Sequence, residues 1–181
     1  MRNLLQLLTL LISLNLLSQD FHKSKNYFLS KIDKNLSMKE VQKITTADVF
    51  IQNHKNNKLK TIKVDWEFYE NDGLISELNS SKLINIDKIL LVNISNCACY
   101  CSEEKYYWLI DEKEKWIELP KINEEDFEIS QTTKSYIFLE NEIQLIEKKF
   151  KIIDYQKGEM EIIYKKVLKK FSWDGVILNE L

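Results

Sequence analysis

Residues 61–69 read T-I-K-V-D-W-E-F-Y, and Asn71-Asp72-Gly73 follows one position later. In an extended chain Ile62, Val64, Trp66 and Phe68 fall on one side, with Thr61, Lys63, Asp65 and Glu67 on the other. A period of two with one dry and one wet side is the mark of a half-buried strand. Asp-Gly between alternating segments is a hairpin signal, because the tight turn needs positive φ at its centre.

The same grammar recurs along the chain. Y-Y-W-L-I-D (106–111), E-K-E-K and W-I-E-L-P (116–120) read as a second hairpin. Y-I-F-L-E-N (136–141) and E-I-Q-L-I-E (142–147) read as a third, and residues 159–168 and 171–181 supply further strands. I-L-L-V-N-I (89–94) is apolar on both sides, which suits an inner strand. The three glycines, Gly73, Gly158 and Gly175, all sit between such runs and read as turn residues, leaving none for a phosphate-cradling loop.

One helix signal stands out. Ser37-Met38-Lys39-Glu40 is a capping box and predicts a short helix over 38–45. A second short turn is expected after Pro120, with Asn123 as its cap. Aromatic-centred hairpins recur too unevenly for a propeller or solenoid. The expected fold is therefore mostly β (α+β): a meander of antiparallel hairpins forming a sandwich or partial barrel, with one short N-terminal helix.

Residues 1–18, M-R-N-L-L-Q-L-L-T-L-L-I-S-L-N-L-L-S, place one basic residue before a short apolar run and end on a small residue. This is the layout of a secretory signal peptide, and the run is too short for a bilayer span, which takes about 20 apolar residues. The expected organisation is a signal peptide over 1–18 and a single domain over 19–181, exported to a periplasmic or extracellular location. No membrane span is expected after cleavage.

Arg2 is the only arginine, so the chain beyond residue 18 carries 25 lysines against 28 acids, a net charge of −3. Without the arginine fork and with a negative balance, nucleic-acid binding is not expected. Catalytic motifs are absent. His22 and His54 are the only imidazoles, and I-Q-N-H-K-N-N-K around His54 reads as a polar loop. The adjacent acids Glu103-Glu104 and Glu124-Glu125-Asp126 read as solvated rather than as a catalytic pair. Trp66, Trp108, Trp116 and Trp173 suit a β core, although such rings also build platforms for glycans or peptides.

N-C-A-C-Y-C-S (96–102) holds every cysteine of the chain: Cys97, Cys99 and Cys101. On a flat strand neighbouring cysteines stand about 6.6 Å apart with parallel side chains, so a bridge requires the chain to bend here. Three readings follow: a disulfide, Cys97–Cys101 across a turn; free or intermolecularly paired thiols; or a thiolate site for copper or zinc. Glu103, Glu104 or His54 would have to complete that site. No cofactor is expected on the first reading. Tyr100 and Tyr107, beside the cysteines and off the inward stripe, are the expected surface contacts, and 96–107 the expected recognition segment. Together these features point to an exported, non-catalytic binding or envelope-associated domain whose partner is a protein, peptide or glycan. The alternative is a thiol-dependent protein built on the three cysteines.

Overall fold

The computed structural model describes residues 21–31, 46–65, 73–78, 82–97, 101–126, 132–154 and 159–181. The expected leader over 1–18 and the expected helix over 38–45 lie outside the described residues. Within them all regular structure is β: β1 (His22–Lys23), β2 (Tyr27–Lys31), β3 (Thr46–Asn53), β4 (Lys58–Asp65), β5 (Gly73–Leu78), β6 (Ile86–Cys97), β7 (Cys101–Asp111), β8 (Trp116–Glu118), β9 (Ile122–Asp126), β10 (Thr132–Phe138), β11 (Glu142–Asp154), β12 (Glu159–Trp173) and β13 (Leu178–Glu180).

Every pairing is antiparallel, and the strands form three sheets. The central sheet runs β1-β5-β6-β7-β8, with β9 also on β7; flanking it are β10-β11-β12-β13 and β2-β3-β4. The meander of hairpins expected from the sequence is what the chain builds. The alternation read at 61–64 holds, with Ile62 and Val64 buried and Thr61 and Lys63 exposed.

The central sheet is dry on both faces, and that makes the architecture three-layered. From β6 and β7, Ile89, Tyr107 and Leu109 pack with Tyr136, Phe138, Ile143, Phe171 and Trp173 of the β10–β13 sheet. Their chain neighbours Leu90, Val92, Trp108 and Ile110 turn the other way, onto Val49, Ile51, Ile62 and Val64 of the β2–β4 sheet. Successive strand residues point to opposite faces, so a continuous apolar run such as I-L-L-V is what a doubly covered strand requires. Each fully buried aliphatic side chain contributes roughly 1.5–3 kcal/mol.

Two corrections concern punctuation. Residues 122–126 form strand β9, not a helical turn after Pro120, and Asn123 pairs with Glu104 in its ladder. Pro120 has no N–H to give β7, so the edge strand breaks there and resumes one register step on, as Trp108↔Glu118 gives way to Lys105↔Ile122. The Pro120 carbonyl accepts from the Tyr136 hydroxyl at 3.0 Å, tying the break to the opposite sheet. Gly73 is not a turn residue but the first residue of β5, opposite Ile94. A Cβ there would meet Leu29 Cδ1 at 2.6 Å, so it permits β2 to press on the central sheet. Gly175 is a turn residue, with φ at 95°. Gly158 lies outside the described residues.

Candidate ligand-binding cleft

Two hairpin turns are built alike. In N-H-K-N-N (53–57), Asn53 Oδ1 accepts from the N–H groups of Lys55 and Asn57 at 3.0 and 3.1 Å, and Asn56 adopts φ 59°. In D-E-K-E-K (111–115), Asp111 Oδ1 accepts from Lys113 and Lys115 at 2.9 and 2.8 Å, and Glu114 adopts φ 61°. An Asx side chain that organises the turn, followed by a left-handed residue, closes a hairpin with a one-residue bulge.

The first turn joins β3 to β4 and the second joins β7 to β8, so stacking of the two sheets brings them to the same end of the molecule. Between them opens a cleft of about 580 Å³, lined by Tyr27, Asn53, His54, Lys88, Glu114 and Trp116 among others. Trp116 and Tyr27 are both half-buried and meet edge to face, with centroids 5.7 Å apart and planes at 87°. Behind Trp116 stands the buried Trp108 ring at 6.2 Å, which fixes its tilt.

Asn26 is held from beneath: its Nδ2 donates to Oε1 of the buried Glu77 at 3.1 Å. Burial pushes the Tyr27 phenol up, with Lys88 partly offsetting it, so the hydroxyl stays a donor across the physiological range. Burial works against the charge of Lys88, but Tyr27 and Asp87 outweigh it and hold the ammonium above its ordinary range. The cleft therefore offers aromatic surface, amide donors and acceptors, one phenol and one fixed cation. On the other side of the 111–115 turn a second cleft, about 420 Å³, is bounded by Asn85, Ile117, Gly175 and Val176. No family model, curated protein or solved structure matches the chain.

The expected site segment lies at the opposite end. Cys97 and Cys101 stand directly opposite each other on the last rung of the β6–β7 ladder, so the chain does bend between them. Cys99 and Tyr100 lie outside the described residues. Tyr107 does not offer the expected surface: it is 2% exposed, wedged edge-on against Tyr136 at 5.1 Å. Burial raises its phenol well above the ordinary range. Its strand is covered on both sides, so being off one inward stripe places it on another. Segment 102–107 is accordingly the body of an inner strand rather than a recognition loop.

Nor are Glu104 and Glu124 solvated as expected. Glu104 is 5% exposed and accepts from Tyr106 Oη and Lys121 Nζ, each at 2.6 Å. Lys105 Nζ reaches Glu124 Oε2 at 2.6 Å, Glu103 Oε2 at 3.2 Å and Thr133 Oγ1 at 3.1 Å. Glu124 accepts as well from Thr133 and from the Lys134 backbone N–H. Lys121 neutralises Glu104 while Lys105 is shared between Glu103 and Glu124, which makes the cluster a brace between β7, β9 and β10. Among the described residues, no three His, Cys, Asp or Glu side chains converge to hold a metal.

His54 is in the polar loop expected of it and exposed. Sequence reasoning missed that this loop walls a cleft with Trp116. The available signal was the likeness of N-H-K-N-N to D-E-K-E-K, each opening with an Asx residue between strands.

Proposed function

We propose that this chain is an exported, non-catalytic binding module, and that the cleft between the 53–57 and 111–115 turns seats a glycan segment. The observation that carries the reading is the half-exposed Trp116–Tyr27 pair set among asparagine amides. A sugar ring stacks its apolar C–H face on an aromatic ring while its hydroxyls exchange hydrogen bonds with amides, and such sites combine apolar walls with a few convergent polar groups. Trp116 supplies the ring. Asn53 commits its Oδ1 to the turn and keeps its NH₂ for a ligand. Glu77 presets the Asn26 amide from below. The leader-like residues 1–18 support export.

The test is a tryptophan-fluorescence titration of the purified protein with a panel of soluble neutral oligosaccharides. Saturable quenching that Trp116→Ala removes, with the fold intact by circular dichroism, supports the proposal. Absence of binding across the panel, or turnover of a glycoside, ester or peptide by the protein, overturns it.

For the cysteines, the register favours a bridge over a thiolate metal site. Directly opposed residues of an antiparallel pair have Cα atoms about 4.5–5.5 Å apart, within disulfide range. We propose a Cys97–Cys101 staple with Cys99 as the remaining thiol. Titration with a thiol reagent on the native protein should count one free thiol. Three thiols with stoichiometric copper or zinc would favour the thiol-dependent alternative.

A further inference from the structure

β11 and β12 continue past the core as a long two-stranded arm. Among the described residues β10 pairs β11 only as far as Lys149, and β13 pairs β12 only over Phe171–Trp173. Along 161–169 of β12, no described strand lies on the side away from β11. Every residue from 161 to 167 is exposed, including Ile162 (46%), Ile163 (53%) and Tyr164 (43%). A free edge of this length with apolar residues at its centre is a template for another strand.

The charge pattern says which strand. Within the arm Glu147 stands opposite Lys166 and Lys151 opposite Glu161. Lys151 and Glu147 are four residues apart in β11, so Glu161 and Lys166 share a face. Ile163 is the residue left unpaired where the register steps between Lys149↔Tyr164 and Phe150↔Ile162. Two β12 edges brought together antiparallel, with the two-fold axis between Ile163 and Tyr164, set Glu161 opposite Lys166 of the second copy on the same face. Across the junction the row then reads Glu147, Lys166, then Glu161 and Lys151 of the second copy, alternating in sign, and the symmetric row does the same. Among the described residues the contact of this edge with β13 reaches no further than Lys170, whose carbonyl accepts from the Leu181 N–H.

We propose that β12 pairs with β12 of a second copy of this chain, joining the two β10–β13 sheets into one across the dimer. The same register lays Ile162 against the stem of Lys165 in the second copy, covering apolar surface that is open in the single chain. An anionic membrane, which the lysines of the arm would attract, is the competing occupant, but it makes no use of the alternation of Glu161 with Lys166.

The test uses charge reversal on the full chain, with sedimentation velocity over a broad concentration series. Wild type should be in monomer–dimer equilibrium. Glu161→Lys alone and Lys166→Glu alone each place like charges opposite one another in both rows, and each should weaken dimerisation roughly tenfold or more. An equimolar mixture of the two variants sets opposite charges against each other at both intermolecular 161–166 pairs, so it should form the heterodimer. A wild type that stays monomeric throughout overturns the proposal. So does a mixture no more associated than its components, or a monomeric wild type that sediments with phosphatidylglycerol vesicles. Circular dichroism of each variant shows whether it is folded, and the mixture keeps the test decisive if single-variant stabilities differ.

Discussion

Lys105→Met removes the cation at the centre of the brace and leaves its carboxylates behind. The Lys105 side chain is 11% exposed and that of Glu124 is 10% exposed, so water can do little to replace the lost ammonium. Removing one partner of a buried ion pair costs about 3–5 kcal/mol. Glu124 retains donors in the Thr133 hydroxyl and the Lys134 N–H. Glu103, 34% exposed, can turn to solvent, and its share of the loss is discounted for screening. The lower end, about 3 kcal/mol, is therefore expected. With a urea slope of about 2 kcal/mol per M for a domain of this size, the unfolding midpoint should fall by about 1.5 M. Lys105→Met with Glu124→Gln removes both charges, and it should recover about 1–2 kcal/mol of that loss relative to additivity. Equilibrium urea unfolding followed by tryptophan fluorescence measures all of these. A single-variant midpoint within about 0.3 M of wild type would show that Lys105 is effectively solvated and refute the reasoning.

Other expectations concern the loop end and the aromatic core. Gly175→Ala forces an L-residue to φ 95° and sets a Cβ 2.8 Å from Asn85 Nδ2, so a loss of about 1–3 kcal/mol is expected in thermal or urea unfolding. Trp173→Phe deletes the indole N–H that donates to the Ile84 carbonyl at 2.8 Å and leaves a gap in the core; about 2 kcal/mol should be lost. Burial pushes the Tyr136 phenol up to about 12 from an ordinary 10 and raises Tyr107 further. Phenols with raised folded pKa values stabilise the fold fully below about pH 10, and that contribution drains as pH rises toward 12. Tyrosinate absorbance at alkaline pH should accordingly show these two rings titrating together with loss of the fold rather than before it.

What was legible depended on whether a residue's partner is near it in sequence. The faces of β4 follow from alternation alone, and I-L-L-V-N-I announced an inner strand because both sides of it are apolar. The same reasoning applied to K-Y-Y-W-L-I would have buried Tyr107, since an unbroken apolar run leaves no wet face for it. Glu104 and Lys105 were beyond reach for a different reason. Their partners Lys121 and Glu124 arrive through β9, whose alignment rests on the one-residue step at Pro120. Gly73 follows an Asn-Asp pair that reads as a turn, and only the close approach of Leu29 from another sheet shows why glycine is needed inside β5. The cleft is the product of sheet-on-sheet packing between turns 58 positions apart, Asn53 and Asp111 being its two organisers.

Amide chemical-shift mapping of the protein titrated with the oligosaccharide that quenches it best is the most direct measurement. If the glycan seat is where the aromatic pair and the amides converge, the perturbed signals cluster at residues 26–27, 53–57, 88 and 114–116, and the 97–101 hairpin stays unmoved. Shifts centred on that hairpin instead, or on neither turn, would contradict it.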